Sequence, residues 1–227
     1  MINVPMPAIP LDFEEKVRGP GLLFLAENPA PKGDEWKAHR YWKESHQALY
    51  DSLGGICSYC ATYTPRRPGA SGLDHTSVDH FVPKSKNVAL AYEWSNYRLC
   101  RTRLNNRKAD YTDIVDPYIV ANGRFTLDFT SFHIAPAPEL SEDERGEVLK
   151  SVARLKLNDD DAYVNERARV VYSYSDGKIL INQIQKYYPF IASEMVAQDF
   201  DNNHLPRFKK ALASKFLRAA LVAQGVI

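Results

Sequence analysis

Ser77-Val78-Asp79-His80-Phe81-Val82-Pro83-Lys84-Ser85, then Tyr92-Glu93-Trp94-Ser95-Asn96-Tyr97-Arg98-Leu99, then Leu104-Asn105-Asn106-Arg107-Lys108-Ala109-Asp110 decide how this chain is read. Ser77–Phe81 reads as a short apolar strand, Tyr97–Cys100 as a second, and Arg103–Asp110 as one or two helical turns. Asp79 and His80 are neighbours, and neighbouring strand residues point to opposite faces. Both can serve one site only where the strand gives way to a loop, and Pro83 supports an ending there. Asn96 lies sixteen residues past His80, and Asn105 nine past Asn96. An acid, a base and two amides in that order can hold one hard metal ion over a phosphate and activate a water beside it.

An imidazole near its ordinary pKa of ~6.5 can take a proton from water at neutral pH, which makes His80 the candidate general base. A carboxylate suits Mg²⁺ or Mn²⁺, which makes Asp79 the candidate metal ligand. Lys108 follows Asn105 by three residues, so on a helix the two share a face, with the amide turned to a metal and the ammonium to a phosphate oxygen. From Arg98 to Lys108 the chain carries Arg98, Arg101, Arg103, Arg107 and Lys108 and no acid, while Lys84 and Lys86 flank the other side. Lys84, Arg98, Arg101, Arg103, Arg107 and Lys108 are therefore the expected nucleic-acid contacts, to phosphate rather than to base edges.

Working outward, net charge is only +1 over 227 residues, so the surface as a whole will not draw the chain onto nucleic acid. No apolar run approaches the ~18 residues of a membrane span. The N-terminal stretch Met1–Pro10 has no basic region followed by an apolar core and reads as a proline-stiffened arm. Three cysteines are too few for a disulfide scaffold and fit a reducing compartment. The cytoplasm is the expected location, with no membrane partner and no small-molecule cofactor. Residues 20–34 read as loop. Asp34–Leu53 reads as a helix, capped by Asp34 and ended by Gly54-Gly55. Residues 62–75 read as loop, and Phe125–Phe129 and Phe132–Ile134 as a hairpin or edge strands. Beyond Pro138 the chain turns helical. Ser141-x-x-Glu144 is a capping box ahead of the stripe Val148, Leu149, Val152 and Leu155. Asp159–Tyr174, Pro189–Gln198 and Pro206–Val222 follow as further helices.

The motif resembles that of HNH, or ββα-metal, nucleases. Gly55-Ile56-Cys57-Ser58-Tyr59-Cys60, Val78–Ser85, Tyr92–Leu99, Val115-Asp116-Pro117-Tyr118 and Leu155-Lys156-Leu157-Asn158-Asp159-Asp160 extend the likeness to bacterial HNH endonucleases of the Septu-type (PtuB-like) and retron-associated group. The resemblance implies an α+β fold: a small ββα-metal (HNH) hairpin-plus-helix core embedded in a mostly helical domain. It divides the chain into an N-terminal arm and helix (1–54), the HNH motif (55–118), and short strands followed by a C-terminal helical region (119–227) packed with that core as one domain. It implies Asn105 as second metal ligand and Asn96 as the structural amide that holds the loop carrying the base. It also implies Mg²⁺ or Mn²⁺ as cofactor, DNA as substrate, and a role in anti-phage defence with an ATPase partner. The chain itself has no Gly-x-x-x-x-Gly-Lys-Ser/Thr loop.

Many members of the family carry a zinc knuckle. Cys57-x-x-Cys60 supplies its first half, but the second half would fall on Arg101 and Leu104, and Cys100 is one residue early. A one-residue shift in a strand turns the side chain to the other face. No structural zinc is expected. Cys57, Cys60, Cys100 and His75 are the set that would form a site if a bulge corrected the shift. Three functions compete: a metal-dependent DNA endonuclease, which intact Asp79, His80 and Asn105 favour; a nucleic-acid-binding module without cleavage; and a structural subunit whose C-terminal helices dock a partner.

Overall fold

The computed structural model describes residues 1–67, 75–158 and 161–227. Half of the expected 62–75 loop, from 68 to 74, and the start of the expected Asp159–Tyr174 helix lie outside the described residues. The fold is mixed helix and sheet, with two small antiparallel sheets among the described residues. The chain divides into two compact units, one of residues 3–59 and 63–119, the other of residues 1–2, 60–62 and 120–227. Residues 3–54 share a unit with the hairpin. Among the described residues, no helix is long and apolar enough to cross a membrane.

In the first unit, β1 (Thr76–His80) pairs antiparallel with β2 (Tyr97–Arg101), placing Asp79 opposite Arg98 and His80 opposite Tyr97. The helix Thr102–Lys108 follows β2 without a loop. A hairpin this small cannot bury enough apolar surface alone. The N-terminal residues supply the rest: Phe13, Val17, Phe24, Trp42 and Leu49 share one core with Val78, Tyr92, Trp94, Tyr97 and Leu99. The arm is also tied down by hydrogen bonds. The Trp94 indole N–H donates to the Pro7 carbonyl at 2.7 Å, and the Val4 N–H to the Pro117 carbonyl at 2.8 Å.

Two expectations for the N-terminal region fail for identifiable reasons. Residues 20–34 are not all loop, since Gly19–Glu27 is an α-helix preceded by a π-helical stretch, Glu14–Arg18. Pro20 sits where the π-helical stretch gives way to the α-helix. Gly21 faces the Tyr92 ring so closely that an added Cβ would lie 2.2 Å from Cγ. The glycine marks a close approach rather than a break. The single helix expected over Asp34–Leu53 is three pieces: Glu35–Ala38, a 3₁₀ turn Tyr41–Ser45, and His46–Ser52. The interruption falls at His39, whose carbonyl accepts the Tyr92 hydroxyl at 2.7 Å and whose ring stacks on Phe24. Gly54 and Gly55 then take the left-handed conformation that ends the last piece.

In the second unit, β3 (Phe125–Leu127) pairs antiparallel with β4 (Ile134–Pro136). Ser141 and Glu144 form the reciprocal capping box ahead of Glu142–Leu155, although Leu149 of its expected stripe is exposed. Asp161–Ser175, Ile181–Tyr187, Pro189–Ala197 and Phe200–Asn203 follow. The helix expected over Pro206–Val222 is split into Leu205–Ala213 and Lys215–Ala223, because extended Ser214 caps the second piece through Leu217 N–H.

Candidate active site

The end of β1 delivers two titratable side chains into different surroundings. The His80 ring lies perpendicular to Trp42 (centroids 4.9 Å apart) and to Tyr97 (5.3 Å). Its Nε2 is 2.9 Å from the Ala91 carbonyl, which also accepts the Tyr97 hydroxyl. Burial pulls the imidazole down to about 3, with the Lys84 and Lys108 charges adding to the effect. It is therefore neutral at physiological pH. A carbonyl can only accept, so Nε2 carries the proton and Nδ1 is the basic nitrogen.

Asp79 is buried. Its Oδ2 accepts the Tyr59 hydroxyl at 2.6 Å, and its Oδ1 lies 3.3 Å from the Lys108 ammonium. Burial pushes this carboxyl up from the usual range, while Lys108, the Tyr59 hydroxyl and Arg98 pull it back. The same carboxylate holds the Tyr59 phenol, itself raised first by burial. Tyr59 was not among the sequence candidates. It stands between the two knuckle cysteines, where no spacing rule signals it.

Asn105, on the 102–108 helix, donates from its amide nitrogen to Ser77 Oγ at 3.0 Å and to the Val78 carbonyl at 3.3 Å. The amide oxygen is the atom of this side chain that suits a hard cation. Its neighbour Asn106 is exposed. Asn96 is buried and braces the segment after His80. Its Oδ1 accepts Val82 N–H at 2.8 Å, and its Nδ2 donates to the Val82 and Leu90 carbonyls, each at 3.0 Å.

Asp79, His80 and Asn105 line one cavity of about 820 Å³, together with Lys84, Trp36 and Trp42. Among the described residues, no three His, Cys, Asp or Glu side chains are arranged to hold a metal. A carboxylate and an amide oxygen are nonetheless a fitting donor pair for Mg²⁺ or Mn²⁺, which keep waters and accept substrate phosphate oxygens as further ligands.

Three of the six cations expected on phosphate are buried. Lys108 has no exposed surface; its ammonium donates to the His80 carbonyl at 2.7 Å and faces Asp79. Arg98 is forked onto Asp116 at 2.9 and 2.7 Å and lies over the Tyr118 ring at 3.6 Å. Arg101 is buried and donates to Thr64 Oγ1 at 3.2 Å. The acids that pair Arg98 and Lys108 come from Asp116 and Asp79, outside the stretch in which the charges were counted. Arg103 and Arg107 are half-buried on the helix, and exposed Lys86 pairs with Asp110 at 3.2 Å. Lys84 alone of the six lines the cavity.

All three cysteines are buried and none is in a disulfide. At Arg101, where the resemblance would put a third zinc ligand, the backbone takes that place. Cys57 Sγ accepts the Arg101 N–H at 3.3 Å, and the Cys100 thiol donates to the Arg101 carbonyl at 3.2 Å. The Ser58 N–H adds a bond to the Leu99 carbonyl at 2.8 Å. The Cys57-x-x-Cys60 turn is thus joined to β2 through Cys57 and Ser58. No protein-family model matches this chain, and no curated protein is found to match it.

Proposed function

We propose that the chain is a metal-dependent HNH endonuclease that hydrolyses DNA phosphodiester bonds. The observation that carries the reading is the state of His80. Its Nε2 lies 2.9 Å from the Ala91 carbonyl, which leaves Nδ1 as the acceptor nitrogen, and the residue lines the same cavity as Asp79 and Asn105. In this reading Nδ1 takes a proton from water. The resulting hydroxide attacks phosphorus, and the P–O3′ bond breaks. Its electron pair leaves on the 3′ oxygen, which is protonated from solvent, giving 5′-phosphate and 3′-hydroxyl ends. Asp79 and Asn105 would hold Mg²⁺ or Mn²⁺, whose Lewis acidity would serve the phosphate and the leaving oxygen. A phosphate anion beside His80 would also raise the imidazole from its depressed value and so improve it as a base.

A second reading has one specific observation behind it. Lys108 already stands against Asp79 as an internal cation, as a non-cleaving nucleic-acid-binding scaffold would tolerate. Incubating supercoiled plasmid with the protein and Mg²⁺ or Mn²⁺, with and without EDTA, separates the two. The nuclease reading predicts nicked or linear product that EDTA abolishes. Absence of cutting with either ion would favour the scaffold, and undiminished cutting in excess EDTA would remove the metal from the account. An anti-phage role with an ATPase partner, in the cytoplasm, rests on the motif resemblance. Co-purification with neighbouring-gene products tests it, and a chain that cuts efficiently alone and is indifferent to nucleotide would contradict it.

A further inference from the structure

Trp42 touches both working sides of the cavity. Its ring is perpendicular to His80, and the Lys84 ammonium lies over its face 4.4 Å from the centroid. Trp36, whose indole N–H is fixed on the Pro31 carbonyl at 2.9 Å, stands 5.5 Å from the same ammonium. Among the described residues, no salt bridge holds Lys84. This differs from Lys108 and Arg98, each of which is itself buried and faces a carboxylate.

The difference in partner has a chemical consequence. A carboxylate neutralises the cation it holds. An indole face attracts an ammonium through its quadrupole and leaves the net charge intact. Lys84 is thus oriented without being neutralised. Its loop is fixed from behind, because Asn96 brackets Val82. Burial draws the Lys84 ammonium down from its usual value, and nearby Asp79 opposes that. An anion entering the cavity would meet a desolvated, preorganised cation, the arrangement that stabilises charge developing on a reacting phosphate.

We infer that Lys84 is the cation that meets the scissile phosphate, and that Trp42 is the positioning residue that sets it beside His80. The inference rests on the nuclease reading for the identity of the phosphate, but phosphate contact itself can be measured without cleavage. Two readouts are needed. The first is kcat and KM for plasmid nicking with Mn²⁺ by wild type, Lys84→Met, Trp42→Leu, Trp42→Phe and the double variant Lys84→Met/Trp42→Leu. The second is the salt dependence of binding to a short DNA duplex, by fluorescence anisotropy without divalent metal, with thermal unfolding to confirm that each variant is folded.

Lys84→Met should lower kcat on the order of 10²-fold, as for loss of one donor to a developing oxyanion. It should also reduce the salt slope of binding by about 0.9, the worth of one phosphate contact. Trp42→Phe, which keeps an aromatic face, should recover most of what Trp42→Leu loses. Trp42→Leu should cost several-fold less in the Lys84→Met background than in wild type. Full additivity, equal loss in Trp42→Phe and Trp42→Leu, or an unchanged salt slope in Lys84→Met would each overturn the inference. If the wild type binds DNA without cutting it, the nuclease reading fails while the salt slope still decides for or against Lys84. If it does not bind DNA at all, the inference fails as well. Should Trp42→Leu not fold, the Lys84→Met slope and kcat decide.

Discussion

The two sides of the strand end at Asp79 and His80 differ in what they do with charge. On the Asp79 side, Tyr59 and Lys108 close around the carboxylate, and Arg98 is closed off on Asp116. On the His80 side, Trp36 and Trp42 carry Lys84 at the cavity that Asp79 also lines, with aromatic faces in place of a counter-ion. Isolated buried ions are costly and must be paired. The first side therefore uses its cations to hold the hairpin against its helix. The second keeps a cation available to a ligand. Cations that look alike in the sequence thus serve two purposes, and the partner that each one meets decides which.

The largest expected effect breaks the closed side. Lys108→Met strands the Asp79 carboxylate and the His80 carbonyl, both inside the fold. Loss of one partner of a buried pair costs ~3–5 kcal/mol, so chemical denaturation should show a drop of that order. A change within about 0.5 kcal/mol would mean that the ammonium is not integral to the fold. Next comes Asn96→Ala, which removes two hydrogen bonds from the segment between His80 and Lys84 and a third from Leu90. A cost of ~1–3 kcal/mol is expected for leaving buried groups unmade, together with lower activity. Full activity at reduced stability would show that the brace is not needed to place Lys84 and His80.

The smallest effects sharpen the metal assignment. Asn105→Ala should need a higher Mn²⁺ concentration for half-maximal cleavage, whereas exposed Asn106→Ala should titrate like wild type. A loss confined to Asn106→Ala would shift the ligand register by one residue.

Much of the hairpin was legible in the sequence, because its signals are local. Short strand-like runs mark β1 and β2, Pro83 lies just beyond the end of β1, and the run after Arg101 has no glycine or proline before Ala109. Asn96, which the resemblance put forward as a structural amide, bonds the backbone of Val82 on both sides. The expected basic patch dissolves because charge was read along the chain while its pairing is set across it. Every residue of β2 is buried, its two arginines included. Asp116, eighteen residues past Arg98, closes the pair. The aromatic wall was illegible for a similar reason. Trp36 and Trp42 read as parts of one continuous helix, whereas the helix breaks at His39, whose carbonyl accepts the Tyr92 hydroxyl, fifty-three residues away.

The central claim is that His80 activates water in a metal-dependent cut. Single-turnover nicking of supercoiled plasmid in saturating Mn²⁺, by wild type and by His80→Ala, tests it most directly. The account predicts a loss on the order of 10²–10⁴-fold in His80→Ala, with DNA binding retained and the protein still folded. A His80→Ala variant that nicks plasmid at the wild-type rate would contradict it.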